Sequence, residues 1–321
     1  MKEESTYKEN VQKESLYKES LYKEKNKRPE AKIRRLDAAE DRQYMLNEKY
    51  EVYEKQGAPM GATTLHYHNF YELVYIVDGE YSSMIENRIY HLKKGDFLLT
   101  DCNVMHKYHY VAGKNEYSKR IILWITEEML HSLSDGEADL SACFKRTNAD
   151  SCAYHFPIYY EEQLRGYLVK LAMSEMMDME LPGAKAVLDR GYLSLLFVYL
   201  NALCARKENL FAVKDMPEDP MVAVVSEYIE AHISEPILVE TLAEQVHMSK
   251  YHFLRKFKEL TGVTVHTFIN TKRLIKASEG LRAGKSITQV YQEAGFCDYS
   301  SFLRNFKNTF GVAPGKYKDF Y

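Results

Sequence analysis

The spacing of apolar positions divides this chain into regions. Residues 14–25, "ESLYKESLYKEK", repeat a five-residue unit, and "ESTYKE" (4–9) is a looser copy. Five fits neither the helical nor the strand period, so no continuous apolar face forms. Residues 1–45 are therefore read as a disordered or weakly structured tail. From 46 to 125 the apolar runs become short and alternate with turn residues. "YELVYIV" (71–77), "YSSMIEN" (81–87), "RIYHL" (88–92), "DFLLT" (96–100) and "RIILWI" (120–125) are rich in β-branched and aromatic residues. Punctuated by Gly79, Gly95 and "DCN", they predict short strands in a small antiparallel barrel or sandwich. The run 71–77 is apolar on both faces, as in a strand that lines a barrel and is covered outside.

Between 126 and 215 the interval lengthens to three and four residues. "YYEEQLRGYLVKLAMSEMM" and "AKAVLDRGYLSLLFVYLNALCARKE" predict amphipathic helices. The second is apolar around much of its circumference and needs cover beyond its own domain. A second subunit is the expected cover, with an intramolecular bundle as the alternative. Its most apolar run, 191–204, falls short of a membrane span and is flanked by Asp189, Arg190 and Arg206. "VKDMPEDP" (213–220), charged and proline-containing, predicts a linker.

Beyond the linker the chain duplicates itself. Phe253, Leu254, Arg255, Phe257, Lys258, Gly262 and Val263 recur as Phe302, Leu303, Arg304, Phe306, Lys307, Gly311 and Val312, offset by 49. "VETLAEQV" and "ITQVYQEA" precede the two copies as short apolar helices. Each copy reads as helix–turn–helix, with Ser249 or Asp298 placed to cap its second helix. On a helical wheel Phe253, Phe257 and Leu260 face inward and Tyr251, Arg255 and Lys258 outward. In the second copy Phe302 and Phe306 face in, while Ser300, Arg304 and Lys307 face out. Arginine can bond guanine O6 and N7 as a paired donor, and lysine can hold phosphate. Tyr251, Leu254, Arg255, Ser300 and Arg304 are thus the expected base readers, and Lys250, Lys258 and Lys307 the expected phosphate contacts. The bland alternative, a solvated outer face, would not call for two matched copies.

Charge sharpens that picture. The net charge of −3 argues against a nucleic-acid partner for the chain as a whole. Residues 237–321, however, carry 13 Lys and Arg against 7 Asp and Glu, a balance of +6 that leaves −9 elsewhere. Only the C-terminal part is suited to a polyanion. Five cysteines, Cys102, Cys143, Cys152, Cys204 and Cys297, are odd in number and form no C-x-x-C pair. They read as reduced thiols, and with no apolar signal core at the N-terminus the protein is expected to be soluble, cytoplasmic and without a membrane partner.

Candidate chemistry gathers in "LHYHNFYELVYIVDG" (65–79). If the strand is continuous, His66, His68 and Glu72 share one face. Two imidazoles and a carboxylate suit zinc, iron or manganese, but equally suit a polar pocket or one another. Tyr67, Tyr71, Tyr75 and Trp124 offer rings for a sugar or for the core. Cys102 is read as a small core residue.

On "LAEQVHMSKYHFLRKFKELTG", "NTKRLIKAS" and "EAGFCDYSSFLRNFKNTFGVAPGKYK", residues 221–321 resemble the DNA-binding domain of AraC/XylS-type bacterial transcription regulators. The resemblance implies two helix–turn–helix units entering successive major grooves. A long helix of about residues 264–283, containing Arg273 and Ala277, would join them. Two residues depart from the pattern. Tyr291 replaces a small residue, which predicts crowding of the second unit, and His247 stands where glycine is common. "HYHNFYELVYIVDGEY", "LKKGDFLLTDCNVMHKY" and "RIILWITEEML" resemble the cupin-type sensor domain often joined to that module. Metal-binding cupins carry a three-His, one-Glu set at a spacing that His66, His68, Glu72 and His106 fill, although Asp101 and Asn103 replace the usual proline and glycine. The resemblance implies two alternatives at these residues: a divalent transition metal, or an effector pocket for a small molecule such as a sugar.

The expected molecule is α+β and multidomain. Residues 46–125 form a cupin-like antiparallel β-barrel that binds an effector, 126–215 a helical connector that makes a homodimer, and 221–321 an all-α double helix–turn–helix that binds double-stranded DNA. The expected function is a transcription regulator controlled by a small molecule. The rival is a metal-dependent cupin enzyme or metal sensor fused to a DNA-binding domain. An enzyme needs an open metal position and a general acid or base, and no second catalytic constellation is legible. Phosphate-loop, dinucleotide-binding, nucleophile-elbow and zincin signatures are also missing.

Overall fold

The computed structural model describes residues 35–36, 44–57, 65–86, 88–108, 117–134, 138–145, 151–174, 180–206, 211–213, 216–217 and 219–318. Most of the expected tail lies outside these residues. Its described part includes β1 (Arg35–Leu36), which runs parallel to β2 (Tyr50–Gly57) and so belongs to the sheet. The sheet continues through β3 (Phe70–Ile85), β4 (Arg88–Lys93), β5 (Asp96–Thr100), β6 (His106–Tyr108), β7 (Ser118–Thr126) and β8 (Ala153–His155). Their order is β1–β2–β7–β3–β4, with β5 and β6 also on β3 and β8 on β5.

β3 organises the barrel. Its first half pairs antiparallel with β5 and β7, and its second half with β4 and β6. Strand alternation sends Phe70, Val74 and Ile76 into a core shared with Tyr53, Leu98, Ile122 and Trp124. On the other face Tyr71 stacks on Phe144, with centroids 4.6 Å apart, and the Tyr75 hydroxyl donates to Glu161 Oε1 at 2.6 Å.

The expected break at Gly79 is corrected, because 71–77 and 81–85 both lie within β3. The register against β7 shifts between Ile76 and Asp78, and Gly79 adopts φ +79° without ending the strand. A Cβ at Gly79 would overlap the Tyr117 carbonyl, so the glycine permits a bulge rather than a turn. The sheet also continues past residue 125, where only helix was expected. β8 joins it through buried Ala153 and Tyr154, a run too short to show a period.

Helices α1 (Glu127–Ser132), α2 (Ile158–Ser174) and α3 (Ala184–Cys204) follow the barrel. Leu164, Leu168 and Leu171 of α2 and Leu193, Leu196, Phe197 and Leu200 of α3 are buried. Asp189 accepts from Ser174 Oγ at 2.5 Å and pairs with Lys185 at 2.6 Å. The expectation that this apolar run falls short of a membrane span is also corrected: α3 starts at Ala184, and its 21 residues suffice by length and composition. Yet Lys185, Asp189 and Arg190 occupy its early turns, and its buried leucines pack as in a core helix.

β9 (Met216–Pro217) lies within the expected linker and pairs with β4, fastening that segment to the barrel. Then come α4 (Pro220–Ala231), α5 (Val239–Gln245), α6 (Lys250–Thr261), α7 (Val265–Arg282), α8 (Ile287–Glu293), α9 (Tyr299–Phe310) and α10 (Pro314–Lys318). Ser249 and Asp298 cap α6 and α9 as expected. His247 occupies the left-handed region at φ 52°, where glycine would be unstrained. Tyr291 meets Tyr299 edge-on at 5.3 Å and stays half-buried, so the second unit accommodates it at its rim.

Two apolar clusters hold this helical half. One contains Leu274, Ala277, Leu281, Val290, Phe302 and Phe306 of the second unit. The other joins Val225, Leu242, Phe253, Phe257 and Phe268 of the first unit to Leu65, Met84, Ile89 and Met105 of the barrel. The first helix–turn–helix unit and the barrel therefore share a core.

Candidate effector site and nucleic-acid interface

Inside the barrel the structure gathers His68, Glu72 and His106. One ligand atom from each lies within 4.8 Å of the others. Carbonyl oxygens fix both imidazoles: Nδ1 of His68 donates to Phe70 O at 2.7 Å, and Nδ1 of His106 to Val104 O at 2.9 Å. A carbonyl only accepts, so Nδ1 carries the proton and Nε2 presents a lone pair. Both Nε2 atoms are buried without a hydrogen-bond partner among the described residues. Nε2 of His106 faces Glu72 Oε2 at 3.6 Å, while Trp124 Nε1 donates to Glu72 Oε1 at 2.7 Å.

Burial disfavours charge on these rings. It pulls His68 down to about 3, helped by neighbouring His66. Burial likewise pulls His106 down to about 4, helped by His68 and opposed by the Glu72 carboxylate. Near neutral pH the site thus offers two neutral nitrogen acceptors beside the carboxylate.

His66 does not join this trio. Residues 65–69 precede β3 rather than extend it, and His66 forms an isolated bridge with His106. Its half-buried ring sits 4.3 Å from that of His106, at the barrel mouth. Tyr71, Tyr75 and Trp124 are buried core aromatics, and Tyr67 reaches Phe310 of α9 at 6.1 Å. Cys102 is half-buried, its backbone N–H bonded to Asp101 Oδ1 at 2.7 Å.

In the helical half, Phe253 and Phe257 of α6 and Phe302 and Phe306 of α9 are fully buried. That anchors the opposite faces outward. Tyr251 is 88% exposed, and Arg255, Lys258, Ser300, Arg304 and Lys307 are exposed with it. Leu254 is half-buried against the shared core, and Lys250 pairs with Glu240 at 2.7 Å. α7 joins the two units, its Arg273 donating to the carbonyls of Ile233 (3.1 Å) and Glu235 (2.6 Å).

A family model described as an AraC-like ligand binding domain matches residues 48–163, and one described as a helix-turn-helix domain matches residues 242–319. The chain belongs to the AraC family of transcription regulators. This AraC-family chain is 25% identical over 288 residues to the HTH-type transcriptional activator RhaR of Pectobacterium carotovorum subsp. carotovorum (strain PC1), covering 86% of this chain and 93% of RhaR. It is 22% identical over 264 residues to the activator RhaS of Escherichia fergusonii, covering 80% and 87%. Among solved structures, fatty acid-bound ToxT from Vibrio cholerae strain SCE256 aligns over 86% of this chain and 96% of ToxT, at 16% identity and a TM-score of 0.36. With relatives named as transcriptional activators, this AraC-family chain is a DNA-binding regulator with an N-terminal ligand-binding domain, not an enzyme.

Sequence reasoning missed what aims the cluster. The carbonyls of Phe70 and Val104 carry no residue signal, and the hold of Trp124 on Glu72 comes from pairing β3 with β7.

Proposed function

We propose that a small molecule bearing hydrogen-bond donors, a sugar or another polyol, binds at His68, Glu72 and His106 and controls how the two helix–turn–helix units engage DNA. One observation carries this reading: apart from Trp124, already engaged with Glu72, the cluster offers acceptors only. Its occupant must supply donors, as hydroxyls do. The three ligand atoms lie within 4.8 Å of one another, with His106 Nε2 and Glu72 Oε2 3.6 Å apart, so neighbouring hydroxyls of one molecule can each donate to one of them. A metal about 2.1 Å from each would need roughly 3.4 Å between them.

A divalent transition metal on the same residues is the second reading. The unpartnered Nε2 lone pairs and the Glu72 carboxylate are a fitting donor set, provided they contract, with His66 nearest as a further ligand. Bound there, a metal would supply a fixed positive charge in the barrel.

Tyr251, Leu254, Arg255, Ser300 and Arg304 would read bases, while Lys250, Lys258 and Lys307 hold phosphates. Two copies would act together in the cytoplasm. Supporting the dimer, Val187, Gly191, Leu195, Val198 and Ala202 form an exposed stripe on α3 at four- and three-residue spacing, the pattern of a helix–helix seam. The effector would bias domain contact or dimer geometry, shifting the population that reaches both half-sites.

Native mass spectrometry of untagged protein, purified without chelators, reads oligomer, metal and retained ligand together. The expected result is a metal-free dimer that takes up a sugar or polyol, with uptake lost in His68→Ala. One transition metal per subunit, lost in that variant, would support the second reading. Uptake of polyol unchanged by His68→Ala would overturn the barrel site.

A further inference from the structure

The barrel and the DNA-binding half leave a cavity of about 260 Å³ along their seam. We propose that this cavity is a second small-molecule site, taking one neutral, hydroxyl-bearing molecule that touches the barrel, the joining helix and the second recognition helix together. It does not rest on the barrel reading.

The lining states the chemistry. His66 and Tyr67 come from the barrel mouth, Thr267 and Thr271 from α7, and Thr309 from α9. Leu65, Met105 and Val263 complete an apolar side. Among the described residues no Asp, Glu, Lys or Arg lines the cavity, so a charged ligand would lose hydration without gaining an ion-pair partner from them. Hydroxyls both donate and accept, unlike the acceptor set inside the barrel. They suit a molecule whose own groups do both, with one apolar face to lie on Leu65 and Val263.

The size suits the class. A cavity of about 150 Å³ already holds benzene, so this one has room for a single pentose, hexose or hexitol.

Position gives the site its consequence. Thr271 lies on the helix that sets the spacing between the recognition helices, and Thr309 precedes Phe310, whose ring meets Tyr67 at 6.1 Å. A ligand bridging these residues fastens the second unit to the barrel. His66 forms a shared wall, since its ring touches that of His106 in the buried cluster.

The test is isothermal titration of the full chain with xylose, glucose, mannose, mannitol and sorbitol, with gluconate and glucosamine as charged comparators. We expect at least one neutral compound to bind saturably and both comparators to bind at least tenfold more weakly. Thr271→Phe, which fills the cavity, should weaken that binding at least tenfold. Thr309→Val, a near-isosteric loss of one hydroxyl, should weaken it three- to tenfold and covers the case in which the larger side chain disturbs folding. Binding of no neutral compound, equal binding of the charged comparators, or binding unaffected by Thr309→Val would overturn the proposal. Loss in His68→Ala without loss in the threonine variants would place the ligand in the barrel instead, and would also overturn it.

Discussion

Removing a guanidinium from a recognition helix removes a paired donor that water cannot replace in the groove. Arg255→Ala is expected to cost about 1–3 kcal/mol at one base step and to flatten preference there. Binding to a selected operator and its single-base variants measures this, and a loss equal across all sites would make Arg255 a phosphate contact. His247, held at φ 52°, gives a prediction of opposite sign. His247→Gly should raise stability by about 0.5–1 kcal/mol, read as a shifted urea midpoint, because glycine enters the left-handed region freely. The barrel histidines predict a pH dependence. With folded values near 3 and 4 against the usual 6.5, only the unfolded chain takes up their protons as pH falls below 6.5. Stability is then full above pH 6.5 and falls by about 1.4 kcal/mol per pH unit for each histidine on descending towards pH 4. Asp101, pushed up to about 6 by burial, acts oppositely between pH 4 and 6, so comparison with His68→Gln isolates the imidazole share. Of this site, His68, Glu72 and His106 were legible because their spacing resembles a local motif. The outward place of His66 was not, since nothing in "LHYHN" says that the strand starts only at Phe70.

Elements were legible in proportion to their length and repetition. α6 and α9 announce themselves twice over, by period and by duplication, and their caps lie where the sequence puts Ser249 and Asp298. β8 has three residues and shows no period; it is a strand only because β5 offers an edge. Gly79 misleads in the other direction, since a glycine between apolar runs marks a turn as readily as a bulge. The two roles separate experimentally. A turn glycine at an exposed tip tolerates some substitution, but Gly79→Ala would drive a methyl into the Tyr117 carbonyl in the middle of β3. We expect it to destabilise the barrel by about 2–4 kcal/mol, within the range of severe single substitutions. A change below 0.5 kcal/mol in chemical denaturation would show that β3 bends elsewhere.

At the scale of the whole molecule, α3 presents apolar side chains that the described residues leave exposed: Val187 is 71% exposed, Leu195 44% and Val198 50%. Leu195→Glu should convert a dimer to a monomer in sedimentation velocity while leaving thermal unfolding of the subunit little changed. The same variant should remove avidity, so an operator with two half-sites would be held no better than one half-site. This exposed face was only partly legible, because composition shows that α3 is too apolar to stand alone but not which turn faces outward. The seam was not legible at all: Glu86 with Lys272 (3.6 Å) and Glu127 with Arg282 (2.9 Å) are ordinary surface charges until the chain brings them together. The shared core at that seam also bears on how such proteins diversify. Leu65, Met84, Ile89 and Met105 are buried in a cluster that the first helix–turn–helix unit completes. A recombination event that transplanted residues 219–318 onto a foreign sensor would inherit an uncovered greasy face. Such a graft is expected to expose that face and to self-associate until a partner surface covers it.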